Sequence, residues 1–175
     1  MKWLYNTDAD CYEAVMQQLY EASFPPEERR EMIDWKLFEI VHPAFRRCAV
    51  ERDGTFVGIL YFWQFAHMNY IEHFAILPGQ RSMGIGSTVL RAFMRQHNRI
   101  VLEVEPPQTQ DAKRRVQFYR NCGLHLCNTP YVQPPYSIDK QSVPLFLMSN
   151  RADWLRRNFS NVVATLRREV YGKNF

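Results

Sequence analysis

Several features that would name a chemistry outright are missing from the chain. No apolar run approaches the ~20 residues that cross a bilayer, and no basic stretch leads into an apolar one at its start, so a soluble cytoplasmic protein without a membrane partner is expected. The four cysteines, Cys11, Cys48, Cys122 and Cys127, form no Cys-x-x-Cys pair and have no histidine at ligand spacing. That argues against a zinc site and for reduced, buried thiols. The five histidines, at 42, 67, 73, 97 and 125, are dispersed and lack the i, i+4 pairing of a helical metal site, so no metal is expected. Internal repeats and low-complexity tracts are also lacking. Glycine is scarce, seven residues in 175, which makes two of them only two positions apart, Gly84 and Gly86, conspicuous.

What is there suits one domain. With 46% hydrophobic residues and 14% aromatics, 175 residues can bury a substantial core. The formal charge of +4 is a small excess. Much of it sits in Arg29-Arg30, Lys113-Arg114-Arg115 and Arg151 to Arg168, which read as solvated helix faces. No nucleic-acid-binding module accompanies them, so nucleic acid is not the expected partner.

Lys2 to Tyr5 reads as a short strand. Asp8 or Asp10 can cap a helix in which Tyr12, Val15, Met16, Leu19 and Tyr20 recur at helical spacing, and Pro25-Pro26 should stop it. Pro26, Glu27 and Glu28 suit the first turn of a second helix with Ile33, Leu37, Ile40 and Val41 as its buried stripe and Pro43 as its end. Arg47 to Arg52 and Thr55 to Phe65 are β-rich runs joined by Asp53-Gly54, a dipeptide that tolerates the positive φ of a tight hairpin. Tyr70 to Leu77 is a third strand, followed by the glycine loop and a helix marked by Ile85, Val89, Ala92, Phe93 and Gln96. Arg99 to Glu105 is predicted as a strand, Asp111 to Asn121 as a helix closed by Cys122-Gly123, and Leu124 to Cys127 and Val143 to Met148 as strands. Residues 128–142 read as a loop able to fold over a substrate. Asp153 to Tyr171 carries Leu155, Phe159, Val162, Val163, Leu166 and Val170 at helical spacing, a stripe that can cover the domain or bind a partner. The order implies an α/β (α+β) fold, a mixed, mostly antiparallel sheet flanked by helices, with an extra C-terminal amphipathic helix at about 151–172.

The strand, glycine loop and helix form the central feature. Glycines at 84 and 86 let a backbone approach a ligand, and the helix that starts there presents amides and a positive dipole end suited to phosphate. A dinucleotide fingerprint fails because position 89 is Val. A nucleotide P-loop fails because Ile85 and Gly86 stand where Lys and Ser or Thr are needed. A tight strand-to-helix turn would also account for the glycines.

Arg81-x-x-Gly84-x-Gly86, following a strand that ends in Ala-Ile-Leu-Pro, resembles the acetyl-CoA pyrophosphate loop of the GNAT acetyltransferase superfamily. Arg115-Val-Gln-Phe118-Tyr119-Arg-Asn-Cys-Gly123-Leu124 resembles that family's second signature, and the two occur in the family's order. The resemblance covers roughly residues 1–149 and leaves the C-terminal helix outside. It implies backbone amides at Arg81, Ser82, Met83, Gly84, Ile85, Gly86 and Ser87 around the pyrophosphate, and Ile76 and Leu77 against pantetheine and the acyl carbonyl. The Ile76 N–H is then the implied oxyanion donor and Tyr119 the acid that meets the leaving thiolate. Ser82 stands where the family often has Gly, and Ala112 where many members have Asn.

An amine acceptor, with a pKa of about 10.4, must lose a proton before it attacks. Strict alternation along Tyr70 to Leu77 would set Tyr70, Glu72, Phe74 and Ile76 on one face, which makes Glu72 the first candidate base and His73, on the other face, the second. Glu72 could equally pair with an arginine, and His73 could be an ordinary hydrogen-bonded histidine. Ser23 to Arg29 resembles a segment that lines the acceptor site in amine-acetylating members, which brings in Phe24 and Glu28, although Pro then Glu is also plain helix-capping chemistry. Tyr131, Pro134, Pro135 and Tyr136 could close an aromatic flap over an alkylammonium group or simply pack. The expectation is acetyl transfer from acetyl-CoA to a primary amine, a small molecule rather than a protein, by a monomer or homodimer. A non-catalytic CoA-binding or interaction module is the alternative.

Overall fold

In the computed structural model, which describes residues 1–30 and 35–172, Asp53 and Gly54 both hold positive φ, 52° and 76°, and so make the expected tight hairpin turn. The strands they join are β2 (Phe45–Arg52) and β3 (Thr55–Gln64). On either side lie β1 (Lys2–Tyr5), antiparallel to β2, and β4 (Asn69–Ile76), antiparallel to β3. With α1 (Glu13–Ser23), α2 (Trp35–Val41) and α3 (Ile85–Gln96) they make up one compact unit, Met1–Asn98. Residues opposite one another in the register share a face. Phe45, Arg47, Tyr61, Trp63, Tyr70 and His73 therefore line one side, where Tyr20 of α1 stacks on Tyr61 at 5.8 Å and Trp35 of α2 meets Tyr61 at 5.3 Å. Phe62 points to the other side and meets Phe93 of α3 at 4.9 Å.

Two expectations for this unit fail. Neither Asp8 nor Asp10 caps α1: a 3-10 turn over Asn6–Tyr12 precedes the helix, and Asp10 instead accepts from buried Arg47 at 2.6 Å, alongside Glu39 at 2.8 Å. Pro26–Glu28 forms only a 3-10 turn, and Leu37, Ile40 and Val41 are exposed at 59%, 77% and 61%, so they are not the buried stripe. The inward face of α2 carries Trp35 and Phe38, which pack on Phe45 at 5.8 and 5.0 Å and so join the aromatic face of the sheet, where ring pairs add to plain burial. Ile33 lies outside the described residues.

The second unit, Arg99–Phe175, holds β5 (Ile100–Val104), α4 (Gln110–Asn121), β6 (His125–Leu126), β7 (Tyr131–Gln133), β8 (Val143–Ser149) and α5 (Ala152–Thr165). Strand β8 is antiparallel to β5 on one side and to β6 and β7 on the other. The segment predicted as loop thus contains β7, in which Tyr131 and Gln133 point inward. After α5 a π-helical turn, Leu166–Val170, carries Leu166, Val170 and Tyr171 into the core. The amphipathic stripe of the C-terminal helix is therefore covered by its own chain, with Leu155, Val162 and Leu166 fully buried. All four cysteines are free thiols, but Cys11 is exposed, contrary to expectation, because it sits in the surface 3-10 turn. Among the described residues no helix is long and apolar enough to cross a membrane.

Candidate active site

Past Ile76 the chain leaves the sheet through Leu77 and a 3-10 turn, Pro78–Gln80, which the Arg81 N–H closes by donating to the Pro78 carbonyl at 3.2 Å. The Arg81 amide is thus already engaged and is removed from the set expected to face a pyrophosphate. Its side chain does something else: Nε donates to the Ile76 carbonyl at 2.9 Å and Nη2 lies 3.5 Å from Ser23 Oγ at the end of α1. Ser82 and Gly84 both adopt the left-handed region, φ 63° and 75°. Ser82 therefore holds a glycine-type conformation at the very position where the family often has Gly. A Cβ at Gly84 would meet nothing within 4 Å, so this glycine supplies a backbone angle beneath an uncovered loop surface. Met83 is 64% exposed beside it, while Ile85 turns inward as the anchor of α3. The Thr88 amide makes the first helical bond, to Gly84 O at 3.0 Å, and the Ser87 and Thr88 hydroxyls donate to the same carbonyl at 2.9 and 3.0 Å. The amides of Ile85, Gly86 and Ser87 are the ones a helix start leaves without intrahelical acceptors, and they sit at its positive dipole end, as an anion requires.

Strand β4 does not alternate strictly. Tyr61 pairs with His73 and Phe62 with Ile71, so Glu72 is an extra residue, a β-bulge. Before it, Tyr70 lies opposite Trp63; after it, His73 lies opposite Tyr61, on the same face. The expectation that Tyr70 and Glu72 share a face with Phe74 and Ile76 is therefore corrected. Glu72 turns toward Trp63, whose Nε1 donates to its Oε2 at 2.6 Å, and Arg30 Nη2 lies 2.8 Å from its Oε1. The Glu72 side chain is only 1% exposed. His73, equally buried, places Nε2 2.9 Å from the Glu28 carbonyl and packs edge-on against Tyr20 at 4.8 Å and Phe24 at 4.6 Å. Burial holds its pKa below the usual imidazole value, and because the Glu28 carbonyl can only accept, Nε2 is the donor in that contact. Phe24, Glu28, Glu72 and His73 are thus brought together on one face of the first unit. Sequence reasoning missed Arg30 and Trp63, since nothing local in a sequence signals a bulge.

In the second unit, Tyr119 is half-buried on α4 with Phe118 beside it at 5.2 Å. Burial pushes its phenol up to about 12. The Cys122 and Leu124 amides donate to its carbonyl at 3.1 and 3.0 Å, and Gly123 at φ 99° permits the turn, so the glycine of the second signature is the helix's C-terminal stop. Ala112 faces inward at 4% exposure, its amide capped by Thr109 Oγ1 at 3.1 Å. Tyr136 packs on Tyr171 at 5.1 Å, and Tyr171 OH donates to Glu103 Oε2 at 2.8 Å. Tyr131 is buried against the same carboxylate, which raises its pKa further than burial alone does. Among the described residues no group of three or more potential ligands could hold a metal.

Mostly antiparallel strands, helices on both faces of the first unit, and a strand that enters a helix through a left-handed turn define an acetyltransferase-type architecture. The chain belongs to the acetyltransferase (GNAT) family, whose model matches residues 5–124. A GNAT-family protein from Bacteroides thetaiotaomicron is 31% identical over 99% of this chain and 100% of its own, with a TM-score of 0.93. A single-residue variant of the spermidine N-acetyltransferase from Vibrio cholerae is 18% identical over 90% of this chain and 99% of its own, with a TM-score of 0.59. An aminoglycoside 6'-N-acetyltransferase solved with coenzyme A is 15% identical over 85% of this chain and 96% of its own, with a TM-score of 0.57. These last two establish likeness of fold. No curated protein matches by sequence.

Proposed function

We propose that the protein transfers an acetyl group from acetyl-CoA to the primary amine of a small molecule by direct attack within a ternary complex. The observation that carries this reading is the loop from Ser82 to Ser87, where two left-handed residues set the open amides of α3 beside an uncovered surface. The pyrophosphate of acetyl-CoA would be held there, with Ile76 and Leu77 along the pantetheine arm. The neutral amine attacks the thioester carbonyl, a C–N bond forms, the C–S bond breaks, and the proton lost by the amine balances the one taken by the thiolate. A main-chain N–H at Ile76 would meet the oxyanion, since a fixed donor needs no reorganisation as charge develops. Tyr119 is assigned as the acid from its place in the family's second signature: its phenol, raised to about 12, stays protonated at neutral pH and would stabilise the departing sulfur by donating a hydrogen bond, since full transfer to a thiolate of pKa about 8.5 is uphill. Membership of an acetyltransferase family supports the reaction class. Proteins that share the fold include spermidine and aminoglycoside enzymes as well as ribosomal-protein-alanine N-acetyltransferases, so the fold admits both small amines and proteins as acceptors.

Calorimetric titration with acetyl-CoA and with CoA tests the site. Micromolar binding to the wild type, abolished in Gly84→Trp, is the expected result, because the indole would cover the loop and strain a residue at φ 75°. Absence of binding by the folded wild type would sink the reading. Binding without thiol release across a panel that includes spermidine and aminoglycosides would indicate a CoA-binding module instead.

A further inference from the structure

The bulge in β4 has a consequence for the segment that follows α1. An extra residue in one strand turns two successive side chains, Glu72 and His73, to the same face. Both reach the same short stretch of chain. Glu72 takes the Arg30 guanidinium at 2.8 Å, and His73 takes the Glu28 carbonyl at 2.9 Å. The stretch is held from other directions too: the Arg30 amide donates to Tyr20 OH at 2.7 Å, and the Arg30 guanidinium lies 4.5 Å from the centre of the Phe38 ring and 5.8 Å from that of Trp63. Trp63 in turn fixes Glu72 through its indole N–H.

We infer that Glu72 and His73 are positioning residues, a two-pronged clamp that fixes residues 28–30, which on the acetyl-transfer reading flank the acceptor, and that Glu72 is not the group that takes the amine's proton. The kinetic part of this inference rests on the acetyl-transfer reading; the clamp itself does not. A base must be reachable by the nucleophile or by one water. Each Glu72 oxygen already has a donor, on a side chain 1% exposed, so an amine could approach only by displacing Arg30 or Trp63. Removing either partner leaves a buried charge short of its hydrogen bonds, and the cheapest response is release of the 28–30 stretch.

Limited trypsinolysis at the Arg29–Arg30 bond reads the clamp without any substrate. In Glu72→Gln the cleavage rate is expected to rise about tenfold or more while acetyl-CoA affinity is unchanged, since local opening is governed by local contacts. With whichever of spermidine and an aminoglycoside first gives thiol release, the variant should raise KM for the amine about tenfold and leave kcat, and the pH profile of kcat, within a few-fold of wild type. Cleavage at the wild-type rate overturns the clamp. A fall in kcat of about 10²-fold or more, with loss of a pH limb, overturns the positioning role and makes Glu72 the base. Should Glu72→Gln fail to fold, Trp63→Phe, which removes the indole donor together with part of a buried ring, is read by cleavage at Arg29–Arg30 relative to cleavage elsewhere in the chain, a selective rise supporting the clamp and a uniform or absent one overturning it. A wild type that binds no acetyl-CoA would defeat the acetyl-transfer reading while the cleavage result still decided the clamp.

Discussion

At the scale of single residues, burial decides which protons move. His73 sits among Tyr20, Phe24 and Tyr61, and its pKa is lowered by desolvation; half-buried His97 is lowered for the same reason. A histidine whose folded pKa lies below its unfolded value of about 6.5 favours folding fully above that pH and loses that contribution as pH falls toward the folded value. The urea midpoint should therefore drop between pH 7.5 and pH 5, and His73→Phe should flatten the drop; an unchanged wild-type midpoint would mean that both rings charge freely in the fold. Tyr119 moves the other way. With its phenol at about 12, turnover should show no alkaline limb from this group between pH 7 and 10, and Tyr119→Phe should cut kcat more than acetyl-CoA affinity. Equal losses in both would make Tyr119 a packing residue. Glu72 marks the boundary of what a sequence discloses at this scale. The residue could be singled out by its place on a strand, but its direction could not, because direction depends on which strand carries an extra residue.

Among the elements, those with local chemistry were legible. Asp53-Gly54 announced its hairpin by the φ it tolerates, the glycine loop announced a strand-to-helix passage, and Gly123 announced the end of α4. Elements whose form is set by distant partners were not. The inward face of α2 is chosen by Phe45 and Tyr61 rather than by its own aliphatic residues, and β7 exists because Tyr131 and Gln133 find Leu145 and Val143 across the register. The candidate site divides in the same way: the loop was readable as a motif, whereas the Arg30, Trp63 and Glu72 group required tertiary pairing. The C-terminal helix offers the test at this scale. Leu166, fully buried, opens the π-helical turn that brings Tyr171 to Glu103. Leu166→Ala should cost roughly 2–5 kcal/mol, as large-to-small changes in packed cores do, measured by denaturant titration. A loss below about 1 kcal/mol would show that the second unit stands without this helix.

For the molecule as a whole the question is what a charge of +4 is for. In each of the three basic runs, arginines meet carboxylates of the same unit. Arg30 pairs with Glu72, Arg114 with Asp111, Arg115 with Glu105, Arg156 with Asp153 and Arg168 with Glu169. Among the described residues these five arginines of the basic runs are thus engaged with carboxylates instead of standing open to a phosphate backbone, where six to ten contacts make affinity fall by about 10³–10⁵ between 50 and 200 mM salt. On the proposed reading the excess serves a small polyanion such as acetyl-CoA, which a modest field would draw in and the main-chain amides at the start of α3 would hold. The dissociation constant for acetyl-CoA should therefore weaken by no more than about tenfold over that salt range, and a fluorescent 20-base-pair duplex should show no binding in the same buffers. Tight duplex binding with a steep salt slope would reverse the assignment, because it would require the arginines to leave their carboxylates for phosphate.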